Sequence, residues 1–409
     1  MGWVTDLAPT RAELDSCVTC GLCLPHCPTY RATGDEAASP RGRLTAMAAV
    51  AEGIAEVDET FADIMGFCLQ CRACETACPS LVPFGRAMEG ARAEIAAQLP
   101  GRARATRRWV VGTAVASPVL LRAATFGAAV GQRVGIGRSG GGTLGKLRGM
   151  RDLPLSQRPT HGRSWPARGT PRGRAALLSG CVQDQWFSEV HDATVAVLRS
   201  GGYDVVAPAA QTCCGALAAH DGAAESARTL ARANVDAFAG FDVVVTDSAG
   251  CGAHLKAYAH WADGGGELAA RVRDITEVAA HLVDEGVLPT LARNGRTVAV
   301  QDPCHLRHAQ KIVAPPRRVV SAAGYEVIDL DPSGRCCGGA GMYTLTYPEM
   351  SRDLGMAKAG EIASARVGIV ASANPGCELQ LRTYATDDVR IVHPIELYAA
   401  ALATVTGHE

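Results

Sequence analysis

Residues 17–28 read CVTCGLCLPHCP and residues 68–79 read CLQCRACETACP. Both space their cysteines as C-x2-C-x2-C-x3-C-P. Three cysteines at every third position wrap three corners of a cubane [4Fe–4S] cluster, and the short spacers hold backbone N–H groups near its sulfurs. In such paired runs the fourth cysteine ligates the other cluster. The expected wiring is therefore crossed: Cys17, Cys20 and Cys23 with Cys78, and Cys68, Cys71 and Cys74 with Cys27. Zinc or disulfides are the competing readings. Structural zinc takes two close cysteine pairs rather than eight cysteines in two matching runs, so two iron–sulfur clusters are expected.

The chain has 409 residues, enough for two or three domains. Hydrophobic residues make up 47% and aromatics only 5%, so the core must come mainly from Ala, Val and Leu. All sixteen cysteines fall within the motifs described here. That favours metal ligation in a reducing compartment over a disulfide scaffold. Residues 1–15 lack the apolar core of a secretory signal, and a cytoplasmic protein is expected. Net charge is −1, but residues 101–175 carry fourteen Arg and one Lys against the single acid Asp152, a local charge of +14.

Residues 1–100 read as a helical two-cluster ferredoxin domain. Ser39-Pro40 is a helix start, with Ser as N-cap and Pro at the first helical position. Apolar residues then recur at helical spacing to about Gly53, and a further helix is expected over 84–97. Residues 101–173 read as an Arg/Gly-rich linker, with an apolar segment at 109–130, WVVGTAVASPVLLRAATFGAAV. As a membrane span, its eight strongly apolar residues contribute about −4 kcal/mol and Arg122 costs about +3. Pro118 and the small polar residues remain to be accommodated. Two short helices broken at Pro118 and flanked by arginines fit an interfacial segment better; a buried helical hairpin is the bland alternative. No stacking aromatics or binding module accompany the arginines, so nucleic acid is not expected. Residues 135–172 read as a Gly, Arg, Pro and Ser loop.

Residues 174–290 and 291–409 form an internal repeat. One apolar run ends at Cys181 and its counterpart at Cys304. Each is followed 32 positions later by a CCG triplet, Cys213–Cys214–Gly215 and Cys336–Cys337–Gly338. A further apolar run ends in a single cysteine, Cys251 and Cys377. Strand-like runs alternate with helical patterns, which predicts two α/β units with parallel sheets. The fold class expected is thus α plus α/β. Sites in open α/β sheets form at the carboxyl ends of strands, so the four cysteines of each half should converge there. Helix N-termini at that edge favour thiolates.

The stretch CVTCGLCLPHCPTYRATGDEAASPRGRL followed by CLQCRACETACPS resembles the iron–sulfur subunit of bacterial glycolate oxidase. The CCG repeats resemble those of the anaerobic glycerol-3-phosphate dehydrogenase membrane anchor, lactate-utilisation proteins and the CCG-bearing chain of heterodisulfide reductase. The resemblance spans the chain except about 101–173. It implies a subunit rather than a complete enzyme. A separate FAD subunit would oxidise glycolate or a similar 2-hydroxy acid, and this chain would relay the electrons to a quinone or similar acceptor. A peripheral seat on the inner face of the cytoplasmic membrane would suit that role. The chain has no G-x-G-x-x-G opening a helix after a strand, so no flavin or nicotinamide is expected on it.

One departure stands out. The heterodisulfide-reductase pattern has five cysteines per half, ending in C-x-x-C. Here Ser248 and Asn374 take the first of those places. That leaves open one further cluster, two, or a half without metal, on the candidate ligands Cys181, Cys213, Cys214, Cys251, Cys304, Cys336, Cys337 and Cys377. His305, beside Cys304, is the candidate to protonate or hydrogen-bond an acceptor; His254, Lys256, Arg307 and His308 lie near by in sequence. The alternative functions are the matching subunit of a glycerol-3-phosphate or lactate dehydrogenase complex, a disulfide reductase acting at the CCG cysteines, and a metal-sensing scaffold.

Overall fold

The structure is a computed structural model describing residues 2–135, 153–155 and 159–406. Asp152 and most of the loop expected over 135–172 lie outside the described residues.

The N-terminal part is helical. Its helices Pro40–Ala51, Glu59–Gly66 and Phe84–Gln98 enclose a core that includes Met47, Met65 and Met88, all fully buried. Each such side chain contributes roughly 1.5–3 kcal/mol of burial. The start of Pro40–Ala51 is set by Ser39, whose Oγ accepts from Gly42 N at 2.9 Å. Gly42 has no alternative: a Cβ there would sit 2.0 Å from the Glu36 carbonyl oxygen.

The apolar segment follows as Arg102–Ala114 and Pro118–Arg133, bent by 104° at the break. Ser117 caps the second helix and Pro118 opens it. Leu121, Thr125 and Ala129, spaced by four, face inward. Val119, Leu120, Phe126 and Val130 face outward, as do Trp109 and Val134. Among the described residues no single helix is long and apolar enough to cross a membrane.

The rest is two α/β units. In the first, β1 (Arg163–Trp165), β2 (Gly173–Leu177), β3 (Tyr203–Ala207), β4 (Val243–Thr246) and β5 (Val272–Asp274) lie in the order β1-β3-β2-β4-β5. In the second, β6 (Thr297–Gln301), β7 (Glu326–Asp329), β8 (Ile369–Ser372) and β9 (Arg390–Val392) lie in the order β7-β6-β8-β9. The expectation of wholly parallel sheets needs one correction. Within the stretch read as linker, β1 pairs antiparallel with β3, Arg163 opposite Ala207, and covers an edge that would otherwise be open. Every other pairing is parallel.

In both units the first strand of the repeat lies between the second and the third. Its connections therefore leave on opposite sides, and a crevice opens at the carboxyl ends of β2/β4 and of β6/β8. The two units share one apolar layer containing Val197, Leu198, Leu282, Val319 and Tyr398. A backbone bond from Ala249 N to Ala373 O, 3.0 Å, joins their crevices.

Candidate metal centres and the cavity between them

Each N-terminal cysteine run folds around a small hollow. Cys17, Cys20, Cys23 and Cys78 line the first, and Cys27, Cys68 and Cys71 line the second; Cys74 stands in the wall between and lines both. The hollows thus gather the crossed sets named from the sequence. Thr19 and Gln70, two positions after the first cysteine of each run, both adopt φ +54°. This left-handed turn directs backbone N–H groups inward, and Gln70 N donates to Cys68 Sγ at 3.4 Å.

The PRGR stretch serves the second hollow. Arg43 has no exposed surface. Its guanidinium donates to Ala38 O at 2.7 Å, Ile64 O at 3.0 Å and Thr29 Oγ1 at 3.3 Å, with Nη1 4.0 Å from Cys27 Sγ. Thr29 Oγ1 lies 3.2 Å from the same sulfur and donates to Ala38 O at 2.6 Å. Burial pushes the Cys71 and Cys74 thiols well up. Such sulfurs ionise only against a strong positive charge such as iron, and soft thiolates are the donors iron–sulfur clusters take.

In the first α/β unit, Cys181 directly precedes the helix Val182–Trp186. Cys213 and Cys214 precede Gly215, at φ +87°, which starts the helix Ala216–His220. Cys251 sits in the first turn of Ala249–Leu255, just after β4. These places bring the sulfurs into a chain of contacts, with Cys181–Cys213 at 3.3 Å and Cys214–Cys251 at 3.2 Å. The second unit repeats the pattern: Cys336 meets Cys304 and Cys337 meets Cys377. Hydrogen bonds from neighbouring thiols hold Cys213 and Cys337 well below the usual thiol range, while Cys181, Cys214, Cys336 and Cys377 are pushed up. All sixteen cysteines are free. Among the described residues no group of His, Cys, Asp or Glu is arranged around a single metal ion, and the contiguous quartets suit a multinuclear cluster.

The two positions that depart from C-x-x-C have other duties. Asn374 donates from Nδ2 towards Cys377 Sγ at 3.5 Å, and its Oδ1 accepts from Gly250 N at 3.1 Å, so it ties the second quartet to the first. Ser248 is buried in the wall near Cys251.

All eight CCG cysteines border one cavity of about 650 Å³. Cys68 reaches the same cavity, as do Gln70, His220 and His305. Three ties fix the ferredoxin part against it. Arg92 donates to the carbonyl oxygens of Cys68 and His220, both at 2.6 Å. His308 meets Thr76 Oγ1 at 2.9 Å. His305 donates from Nε2 to Gln70 O at 3.0 Å, and burial holds its imidazole down at about 3. Lys256 pairs with Glu277 at 3.0 Å and Arg307 with Asp302 at 2.6 Å, both outside the cavity wall. Sequence reasoning missed Arg92, Gln70, Glu89 and His220. Their partners are distant in the chain, and no spacing announces them.

The chain matches the family described as "4Fe-4S dicluster domain" over residues 13–82 and the "Cysteine-rich domain" over 175–256 and 298–382. It is 34% identical to the probable glycolate oxidase iron–sulfur subunit of Bacillus subtilis, across 98% of this chain and 95% of that one. It is 33% identical to the glycolate oxidase iron–sulfur subunit of Escherichia coli, across 95% of this chain and 94% of that one. It is 26% identical to lactate utilization protein A of Oceanobacillus iheyensis, across 55% of this chain and 96% of that protein.

Proposed function

The chain belongs to the glycolate oxidase iron–sulfur subunit family, and we propose that it is the electron-transfer subunit of a flavin-dependent dehydrogenase of glycolate or a similar 2-hydroxy acid. A partner flavoprotein subunit carries out the substrate chemistry with its own cofactor. This chain takes the electrons onward to a quinone or similar acceptor. The observation that carries this reading is the single cavity bordered both by Cys68 of the ferredoxin part and by all eight CCG cysteines.

Bound at these sulfurs, iron–sulfur clusters supply one-electron oxidation and reduction. The chain's own residues shape the setting. Arg43 and Thr29 set donors beside Cys27 and stabilise negative charge gathered on that side. Tyr343 and Tyr347 pack with Phe67 at ring separations of 6.5 and 5.3 Å, over an apolar patch that joins Cys71 to Cys336. That patch excludes water between the two parts, which lowers the local dielectric. At the opposite end Cys20 is exposed, and Val18, Leu22 and Leu81 form an apolar rim near the first hollow. This rim is the side from which we expect the flavoprotein to be reached.

We place the protein on the cytoplasmic face of an anionic membrane. Support comes from the outward stripe Val119, Leu120, Phe126 and Val130 and from the charge of +14 over 101–175. Phe126→Glu with Val130→Glu should leave the fold intact and release the complex from vesicles containing acidic lipid. Unchanged sedimentation with those vesicles refutes the membrane seat.

The function is tested on the complex purified without oxygen. It should contain a flavoprotein, about eight irons from two [4Fe–4S] clusters together with any iron held by the quartets, and glycolate-dependent quinone reduction. Recovery of a flavoprotein that oxidises lactate or glycerol 3-phosphate instead would select another member of the same functional class. Turnover of a disulfide with no flavoprotein bound would refute the proposal.

A further inference from the structure

Glu89 and His220 form a contact that neither cysteine placement nor the fold requires. Glu89 lies in the helix Phe84–Gln98 of the ferredoxin part. His220 ends the helix Ala216–His220, which begins just after Cys213–Cys214–Gly215. Its Nδ1 is 3.0 Å from Glu89 Oε1. Burial works against the Glu89 carboxylate, yet the adjacent His220 holds that carboxyl down at about 2.

His220 borders the cavity, whereas Glu89 stands behind it. Both ring nitrogens of His220 are buried and neither makes a hydrogen bond of good geometry, Nδ1 having only the ion-pair approach to Glu89; His254 Nε2 is likewise buried and unpartnered. The His220 ring lies 5.3 Å from that of His305 and 6.4 Å from that of His254. The other charged groups around the pair are engaged: Arg92 with backbone carbonyls including that of His220, Arg72 with Glu75, and Asp221 with Arg107. A buried polar group without a partner calls for an explanation, and a catalytic role is one of the few available. The neighbouring histidine is already occupied, because His305 Nε2 is committed to Gln70 O.

We propose that His220 is the proton donor to the acceptor reduced in the cavity, and that Glu89, whose Oε1 lies 3.0 Å from His220 Nδ1, is the positioning residue that orients its imidazole. The proposal rests on reading the cavity as the acceptor site. The acceptor class is a quinone, whose two carbonyl oxygens take up two protons as the ring takes up two electrons. The electrons come from the partner's reduced flavin, which is oxidised. Each proton leaves His220 Nε2 as the new O–H bond forms, directly or through one water, and the imidazole is reprotonated from solvent.

The experiment uses the intact complex carrying His220→Gln or Glu89→Gln, with the 2-hydroxy acid as donor and a short-chain quinone as acceptor. Three quantities are read: quinone turnover, substrate-driven reduction of the iron–sulfur centres by EPR, and the Kd of a non-reducible quinone analogue. His220→Gln is expected to slow quinone turnover roughly 100-fold, with cluster reduction and analogue Kd unchanged. Glu89→Gln is expected to lower kcat for the quinone while its KM and the analogue Kd stay unchanged, because the ring loses the carboxylate that orients it. Unchanged quinone turnover in both variants overturns the assignment, as does a loss matched by equal loss of iron. A wild-type complex that reduces its clusters but does not bind the analogue overturns the cavity reading itself, and the proton donor with it.

Discussion

His305 Nε2 donates to the carbonyl oxygen of Gln70 at 3.0 Å, so the residue after Cys304 holds the turn between Cys68 and Cys71. The two residues are 235 positions apart. With the bonds of Arg92 and the His308–Thr76 contact, this bond ties the ferredoxin hollow to the CCG cavity. His305→Leu keeps the bulk but leaves the Gln70 carbonyl without this partner. The expected cost is about 1–3 kcal/mol, read as a lower midpoint of denaturant unfolding under anaerobic conditions. An unchanged midpoint would show that the tie contributes nothing.

Arg43 should be intolerant of substitution. Arg43→Met removes a fully buried cation, strands the Ile64 carbonyl and leaves Ala38 O with only its Thr29 hydroxyl donor of the pair. With hydrogen bonds to charged groups worth about 1.5–3 kcal/mol each, a loss of at least about 3 kcal/mol is expected. The centre ligated by Cys27 should also become harder to reduce, since a positive charge has been withdrawn. A redox titration followed by EPR reads that shift, and an unchanged potential would contradict the role given to Arg43.

The second CCG loop depends on a buried ion pair. Lys358 Nζ lies 2.6 Å from Asp331 Oδ2. Asp331 in turn accepts from Ser333 N at 3.0 Å and from Arg335 N at 2.6 Å, directly before Cys336. Burial works against the Asp331 carboxylate, but these partners hold its carboxyl well below the usual range. Lys358→Met should cost about 3–5 kcal/mol, as when one partner of a buried pair is removed. It should also lower the iron bound beyond the eight of the ferredoxin part, and full iron content would argue against the Asp331 loop as a support for Cys336 and Cys337.

Stability should fall on mild acidification. Burial holds His254 and His393 down at about 4, whereas an unfolded histidine titrates near about 6.5. The unfolded chain therefore binds more protons as pH drops below about 6.5. The contribution of these groups is complete above that pH and declines towards about 4. Glu89, at about 2 in the fold, adds its own loss only below about 4.3. His191 acts in the opposite sense: burial lowers it, but Asp247 at 2.7 Å raises it further. Thermal midpoints between about pH 7.5 and 4.5 should decline, and a rise would reverse the assignment.

Much of this was legible in the chain. The two cysteine runs follow from local spacing and each folds about a hollow, and Ser39-Pro40 announced the helix that carries Arg43. The equal 32-residue intervals marked the duplicated unit, because each interval spans the same helix–strand path back to the carboxyl edge of the sheet. Contacts made across the assembly were not legible. The pairing of Arg163–Trp165 with β3 is set by an edge that needed covering. Arg92, Gln70, Glu89 and His220 meet over separations of more than a hundred residues, for which no local periodicity exists. The merging of both quartets into one cavity depends on the shared helical layer, and an internal repeat alone does not specify how its halves face each other.

In the proposed relay, electrons reach the acceptor only by way of the ferredoxin cysteines. Cys71→Ser in the intact complex tests it most directly, by stopped-flow absorbance of the partner's flavin alongside quinone reduction. The 2-hydroxy acid should still bleach the flavin at its normal rate while quinone reduction is abolished. Quinone reduction at the wild-type rate would contradict it.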